Sequence, residues 1–177
     1  MKQNALITGV TGMVGSHLID FLLENTDWNI YGFARWNDSL ENIEHLSDRI
    51  NKKDRVQLIY GDLNDLASLI TTVNKSAPDF VFHLAAQSYP QTSFDAPVET
   101  MDTNIIGTCK LLEAIRKSEY KPKIHVCASS EVFGKMPPEI LPENGIDEEC
   151  PFHPASPYAF SKIGTELVKH NMPLPHL

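Results

Sequence analysis

The chain has 177 residues, 42% of them apolar and 21% charged, which suits one domain with a sizeable core. Its 15 Lys and Arg against 23 Asp and Glu leave a net charge of −8, so a broad phosphate-tracking surface, and with it nucleic acid, is a poor fit, although a small anion could still be held locally. Cys109, Cys127 and Cys150 are odd in number and lack metal-pair spacing, so no disulfide framework or metal site is expected.

The N-terminal MKQNALITGV is too short an apolar run for a signal peptide, and no stretch approaches the ~18 apolar residues of a membrane span. A cytoplasmic protein with no membrane contact is expected. The first strand falls near Asn4–Thr8 and runs straight into TGVTGMVG, with Gly9, Gly12 and Gly15 spaced G-x-x-G-x-x-G. A helix over Gly15–Asn25 follows. Glycines between a strand and a helix allow a tight turn and close approach of a pyrophosphate, and the free amides and dipole of the helix start favour negative charge. Dinucleotide binding is the expectation.

The second strand, Asn29–Ala34, ends in YGFARW. An acid there would receive a ribose 2′-hydroxyl and mark NAD; the place holds Ala34 and Arg35. Arginine pairs with a 2′-phosphate, so NADP is expected, with NAD as the alternative. The next helix is read over Leu40–Ile50, on the sparse apolar positions Ile43, Leu46 and Ile50. A third strand, Val56–Tyr60, leads to Asp62, which either accepts from an adenine amine or caps the helix at Asp65–Asn74, a role Asn64 could equally fill.

The fourth strand, Phe80–Leu84, ends in small Ala85 and Ala86, which leave room for a flat ring, and then in Gln87 and Ser88, which offer donors at the mouth of a crevice. His83 reads as a packed core histidine. A long helix is expected over Val98–Lys117 and a fifth strand over Lys123–Ala128, ending in the polar Ser129, Ser130 and Glu131. Polar groups at a strand's end mark a turn or a site.

From Gly134 to Pro157 the pattern stops, and KMPPEILPENGIDEECPFHPAS holds five of the twelve prolines. A structureless stretch this long is more often a functional loop or lid than filler. The last helix, Pro157–His170, carries Tyr158 and Lys162 one turn apart on one face. A phenol needs electrostatic help to act as a base near neutrality, and an ammonium one turn away supplies it. Pro173 and Pro175 stop this helix near Asn171.

Strands alternating with helices predict α/β architecture: a doubly wound parallel (Rossmann) sheet in three α/β/α layers. The fifth strand would be left as an edge. Gly9, Arg35, Asp62, Ala85 and Ser129 each end a different strand and should converge on one edge of the sheet, where such folds bind ligands.

In order and spacing, TGVTGMVGSHL, GDLND, HLAAQS, TNIIGT, SSEVFG and SPYAFSK resemble the extended short-chain dehydrogenase/reductases, in the NAD-dependent epimerase/dehydratase family. Within that family, RW after the second strand, LAAQSYPQTSF, the SSE triplet and HPASPYAFSK most resemble the nucleotide-sugar 4,6-dehydratases of the GDP-mannose type. Ser130 in place of an aspartate separates the chain from the dTDP-glucose dehydratases. Reductases and epimerases of 4-keto sugars share much of the pattern and stay open as alternatives, as does a dinucleotide-binding fragment without catalysis.

The resemblance implies a lyase that uses bound NADP for internal hydride transfer on a nucleotide sugar such as GDP-mannose. Tyr158 would be the acid/base at the sugar's 4-hydroxyl and Ser129 would hydrogen-bond that oxygen. Lys162 would support Tyr158 and the nicotinamide ribose, while Glu131 would take the proton from carbon 5. The cofactor would lie against Gly9, Thr11, Gly12, Met13, Val14, Gly15, Arg35, Asp62, Leu63, Leu84, Ala85, Ala86, Tyr158 and Lys162. The sugar nucleotide would lie against Gln87, Ser88, Ser129, Ser130 and Glu131. Asn104 matches a structural asparagine. The helices around 98–117 and 157–170 are where a homodimer would form. Residues 1–171 would be the dinucleotide domain and 172–177 a tail outside the family, truncated before the substrate domain.

Overall fold

The computed structural model describes residues 2–143 and 145–172, with nothing described for the side chain of Ile140. Five strands form one parallel sheet: β1 (Asn4–Thr8), β2 (Asn29–Ala34), β3 (Val56–Tyr60), β4 (Phe80–His83) and β5 (Lys123–Val126), in the order β3-β2-β1-β4-β5. Each strand agrees with its sequence-based span, except that β4 and β5 end one and two residues sooner. Among the described residues β5 pairs with β4 alone, the expected edge.

Alternation along β1 builds the layers. Ala5 and Ile7 face a cluster with Val10, Ile19 and Leu22, while Leu6 faces the opposite cluster with Leu69, Val73, Leu111 and Leu112. A central parallel strand is apolar on both faces for this reason. Helix α1 (Met13–Asn25) covers the first face; α3 (Leu66–Ser76) and α6 (Gly107–Lys117) cover the second. The doubly wound three-layer fold is therefore present.

The helix expected over Leu40–Ile50 is instead a 3₁₀ segment, Glu41–Leu46, followed by the short α2 (Ser47–Lys52). Ile43 and Leu46 are buried against β1 and α1. Their spacing of three suits the three-residue 3₁₀ turn, which stacks i over i+3. Beyond β4 come α4 (Thr92–Asp95) and α5 (Pro97–Met101), then a π-helical turn, Asp102–Ile106, that runs into α6. The single helix expected over 98–117 is this composite.

Helix α7 (Pro157–Asn171) starts on Ser156, whose hydroxyl accepts from Ala159 N at 3.0 Å, with Pro157 in the first turn. It stops at Asn171 as expected; Pro173 and Pro175 lie outside the described residues. Among the described residues no helix is long and apolar enough to cross a membrane, and no cluster of His, Cys, Asp or Glu is arranged to hold a metal.

Candidate functional site

The chain leaves β1 through Gly9, whose φ of +72° lies in the left-handed region. A Cβ there would stand 2.7 Å from Ala85 N, so the turn and the end of β4 pack as closely as backbone allows. Gly12 N donates to Gly9 O at 3.1 Å and closes the turn. Gly12 then caps α1, with no side chain bonded to the cap and no acid in the first turn. The first amides of α1 and its positive dipole end are thus left for an anion. Met13 and Val14 are exposed beside them, and Gly15 is buried behind.

A cleft of about 410 Å³ opens over the carboxyl ends of β1, β2, β3 and β4, at the point where the strand order reverses. Ligands of doubly wound sheets bind in this crevice. Of the residues expected from sequence, Gly9, Thr11, Gly12, Arg35, Asp62, Leu63, Leu84, Ala85, Ala86, Gln87 and Ser88 line it. Asp38, Asn64, Glu99 and Thr103 line it too and were not anticipated. Met13, Val14, Gly15, Ser129, Ser130, Glu131, Tyr158 and Lys162 are not part of that lining.

Arg35 is exposed at the end of β2, and Asp38 holds it. Arg35 Nε donates to Asp38 Oδ1 at 2.8 Å, while Arg35 N and Thr11 Oγ1 donate to Asp38 Oδ2 at 3.1 and 3.4 Å. The signal in the sequence was the Asp three residues after Arg35 in a tight turn, closed by Asp38 N on Arg35 O. Asp62 accepts from Asn64 N at 2.8 Å, an Asx turn. The cap of α3 is neither Asp62 nor Asn64 but Asp65, which accepts from Ala67 N and Ser68 N. It alone immediately precedes the helix in an extended conformation, as a cap requires.

Beneath the cleft, His83 is fully buried between two hydroxyls: Thr8 Oγ1 lies 2.7 Å from Nδ1 and Thr108 Oγ1 lies 2.9 Å from Nε2. Thr108 gives its proton to Asn104 O at 2.6 Å, so it accepts from Nε2–H. Nδ1 must then accept from Thr8, whose oxygen accepts in turn from Ala85 N at 3.2 Å. One neutral tautomer satisfies the whole chain. Burial, with the Lys162 charge nearby, pushes His83 from 6.5 down to about 3. It is the core histidine expected from sequence.

Asn104, on the π turn, clamps the wall. Its Oδ1 accepts from Gln87 N at 2.8 Å, and its Nδ2 donates to Gln87 O at 3.0 Å and to Ser161 Oγ at 2.8 Å. Its role is structural, as expected. The Gln87 carboxamide, expected to face the mouth, donates to Thr100 Oγ1 and Tyr89 O, both at 3.2 Å. Its amide protons serve the fold instead.

At the end of β5, Ser129 Oγ accepts from Glu131 N at 3.3 Å and caps a 3₁₀ turn, Ser130–Phe133. Accepting leaves its own proton to donate elsewhere. Glu131 and Ser130 are exposed, and this turn packs on α7. Tyr158 and Lys162 are buried on α7. Lys162 Nζ donates to Cys127 O at the end of β5, and burial lowers its pKa, opposed by the neighbouring Cys127.

Residues 6–173 match the family described as GDP-mannose 4,6 dehydratase. The chain belongs to this family. The resemblance drawn from the motifs thus stands, and so does its subgroup. Family relatives include the GDP-mannose 4,6 dehydratase of Drosophila melanogaster, 38% identical over 165 residues, which is 90% of this chain and 40% of that protein. GDP-mannose 4,6 dehydratase 1 of Arabidopsis thaliana is 40% identical over 170 residues, covering 91% of this chain and 45% of that protein. Among solved structures, UDP-glucose 4-epimerase from Thermus thermophilus in complex with NAD superposes with a TM-score of 0.77 at 28% identity, over 94% of this chain and 49% of that one. The chain spans less than half the length of the curated dehydratases it matches.

Proposed function

We propose that this chain is the dinucleotide-binding half of a GDP-mannose-type 4,6-dehydratase. The observation that carries the reading is the cleft at the strand-order reversal, floored by Gly9 and Ala85 and faced by the unneutralised start of α1. The residues present fit a dinucleotide. A Cβ at Gly9 would meet the Ala85 backbone, so only glycine lets the turn lie this close to the end of β4 under the cleft, and no carboxylate in the first turn of α1 competes with a phosphate.

When bound, the nicotinamide would supply reversible hydride transfer. The chain's own residues would do the rest. Tyr158 would take and return the proton of the sugar's 4-hydroxyl, Ser129 would donate to that oxygen, and Glu131 would remove the proton at carbon 5. Lys162, bonded to the Cys127 carbonyl, would hold its charge beside Tyr158. Arg35 is the group that favours NADP. Homodimer formation through the composite helical stretch at 98–117 and through α7 is supported by Val98, Ile106, Phe160 and Leu167, all exposed. Sugar epimerisation is the second reading, favoured by the likeness to the Thermus thermophilus 4-epimerase.

The test is titration of the purified chain with NADP and NAD, followed by incubation with GDP-mannose and mass analysis for a product lighter by one water. Dinucleotide binding with the dehydrated 4-keto-6-deoxy product supports the full reading. Binding without product restricts the chain to the cofactor half, and no dinucleotide binding overturns the proposal.

A further inference from the structure

We propose that Asp38 is the residue that sets the preference between a ribose 2′-hydroxyl and a 2′-phosphate in the cleft. The inference rests on the dinucleotide reading and deepens it. In this fold an acid at the end of β2 receives the adenosine ribose 2′-hydroxyl, and here the strand itself ends in Ala34 and Arg35. The loop that follows restores the missing carboxylate. Asp38 lines the cleft, and its Oδ2 accepts from Thr11 in the glycine turn and from the backbone of Arg35.

The two side chains differ in setting. Asp38 is 17% exposed and Arg35 is 64% exposed, and both line the cleft, so the carboxylate is the more buried part of that wall and the guanidinium the more solvated. A second latch fixes this loop, because Asn42 Nδ2 donates to Thr11 O at 2.9 Å. Asp38 therefore acts twice against a 2′-phosphate. Its charge repels the phosphate dianion, and its Oδ1 occupies the Arg35 Nε–H that the phosphate would use. Toward a 2′-hydroxyl the same carboxylate is an acceptor.

The full chain, its Asp38→Asn variant and the double variant with Arg35→Ala are titrated with NAD and with NADP by calorimetry, with thermal unfolding measured in parallel. Removing one nearby like charge is expected to raise the ratio of NADP to NAD affinity by about tenfold or more. Arg35→Ala in that background should take the gain away while leaving NAD affinity within about twofold. An unchanged or lowered ratio in a folded Asp38→Asn protein overturns the proposal while leaving the dinucleotide site intact. If the unsubstituted chain binds neither dinucleotide, the site reading fails and this inference fails with it. If Asp38→Asn does not fold, Asp38→Ser is titrated in its place and judged by the same ratio.

Discussion

The polar groups beneath the cleft find partners far along the chain, whereas the described side chains from Ser129 to Cys150 find theirs within a few residues. Thr8 meets His83 75 residues away, Ala85 N meets Thr8 77 away, and Asn104 meets Ser161 57 away. In the stretch from Ser129 to Cys150 the bonds join Ser129 with Glu131, Asp147 with Glu149 and Cys150 with Asp147. Long-range bonds form only when the fold forms, so they tie the cleft floor to global unfolding; local bonds permit the segment to open by itself. The difference teaches that the cleft floor is prebuilt, while the elements carrying Ser129 and Glu131 rest on a few anchors. One is Lys162 on Cys127 O, and another is His153 N on Val132 O at 2.9 Å.

Four substitutions would break or sharpen this contrast. Gly9→Ala should do most damage, since the added methyl meets Ala85 N at 2.7 Å at a positive φ. A strained residue at such a site costs about 1–3 kcal/mol, and a urea titration should show that loss together with dinucleotide binding weakened by about a hundredfold or more.

His83→Gln comes next, and it has a pH signature. The folded value of about 3 lies below the ordinary 6.5, so as pH falls the unfolded chain takes up a proton first. The corresponding stability is complete above about pH 6.5 and is lost between 6.5 and 3. Roughly 2 kcal/mol should disappear from the unsubstituted protein between about pH 7 and 5 through this group. The variant should start about 1–3 kcal/mol lower at pH 7, with partners left unsatisfied, and decline less steeply. Equal slopes for the two proteins would remove His83 from the account of acid sensitivity.

Gly134→Ala probes the other region. Its φ is +51°, and a Cβ would run into His153 O, so the 3₁₀ turn and the returning loop must separate. The expected result is faster proteolysis between residues 135 and 152, with global stability lowered by only about 1 kcal/mol. A loss as large as that of Gly9→Ala would mean that the two regions unfold as one. Glu131→Gln should leave the urea midpoint unchanged, because the side chain is exposed and surface substitutions cost little. In an active preparation it should stop loss of water while oxidation at carbon 4 persists; equal loss of both would make Glu131 structural.

Much of this was legible in the chain because periodicity and glycine chemistry are local. The strands, the glycine turn and the span of the last helix follow from apolar alternation and from Ser156, Pro157 and their neighbours. What escaped reading depends on contacts between distant segments. Asp38 lies off the strand that defines the usual acid position, and only the fold brings it to Thr11. Gln87 could not be seen to spend its amide on Thr100, thirteen residues away. For the cap of α3, Asp62, Asn64 and Asp65 are equivalent by composition, and backbone conformation chose among them. The 3₁₀ form of Glu41–Leu46 was visible only in hindsight, in a spacing of three that a helix tolerates equally well.

The π turn at Asp102–Ile106 acts as a phase adjuster for everything beyond it. An α-helix advances about 100° per residue, and a π turn takes up one extra residue without lengthening the hydrogen-bonded path by a full step. Because the turn absorbs that residue, α6 keeps its facing; straightening 102–106 into regular α-helix with every residue retained would turn α6 by about that angle relative to α5. Thr108 would then swing away from His83, Asn104 could no longer hold both Gln87 and Ser161, and the floor of the cleft would lose its support with no residue replaced or removed.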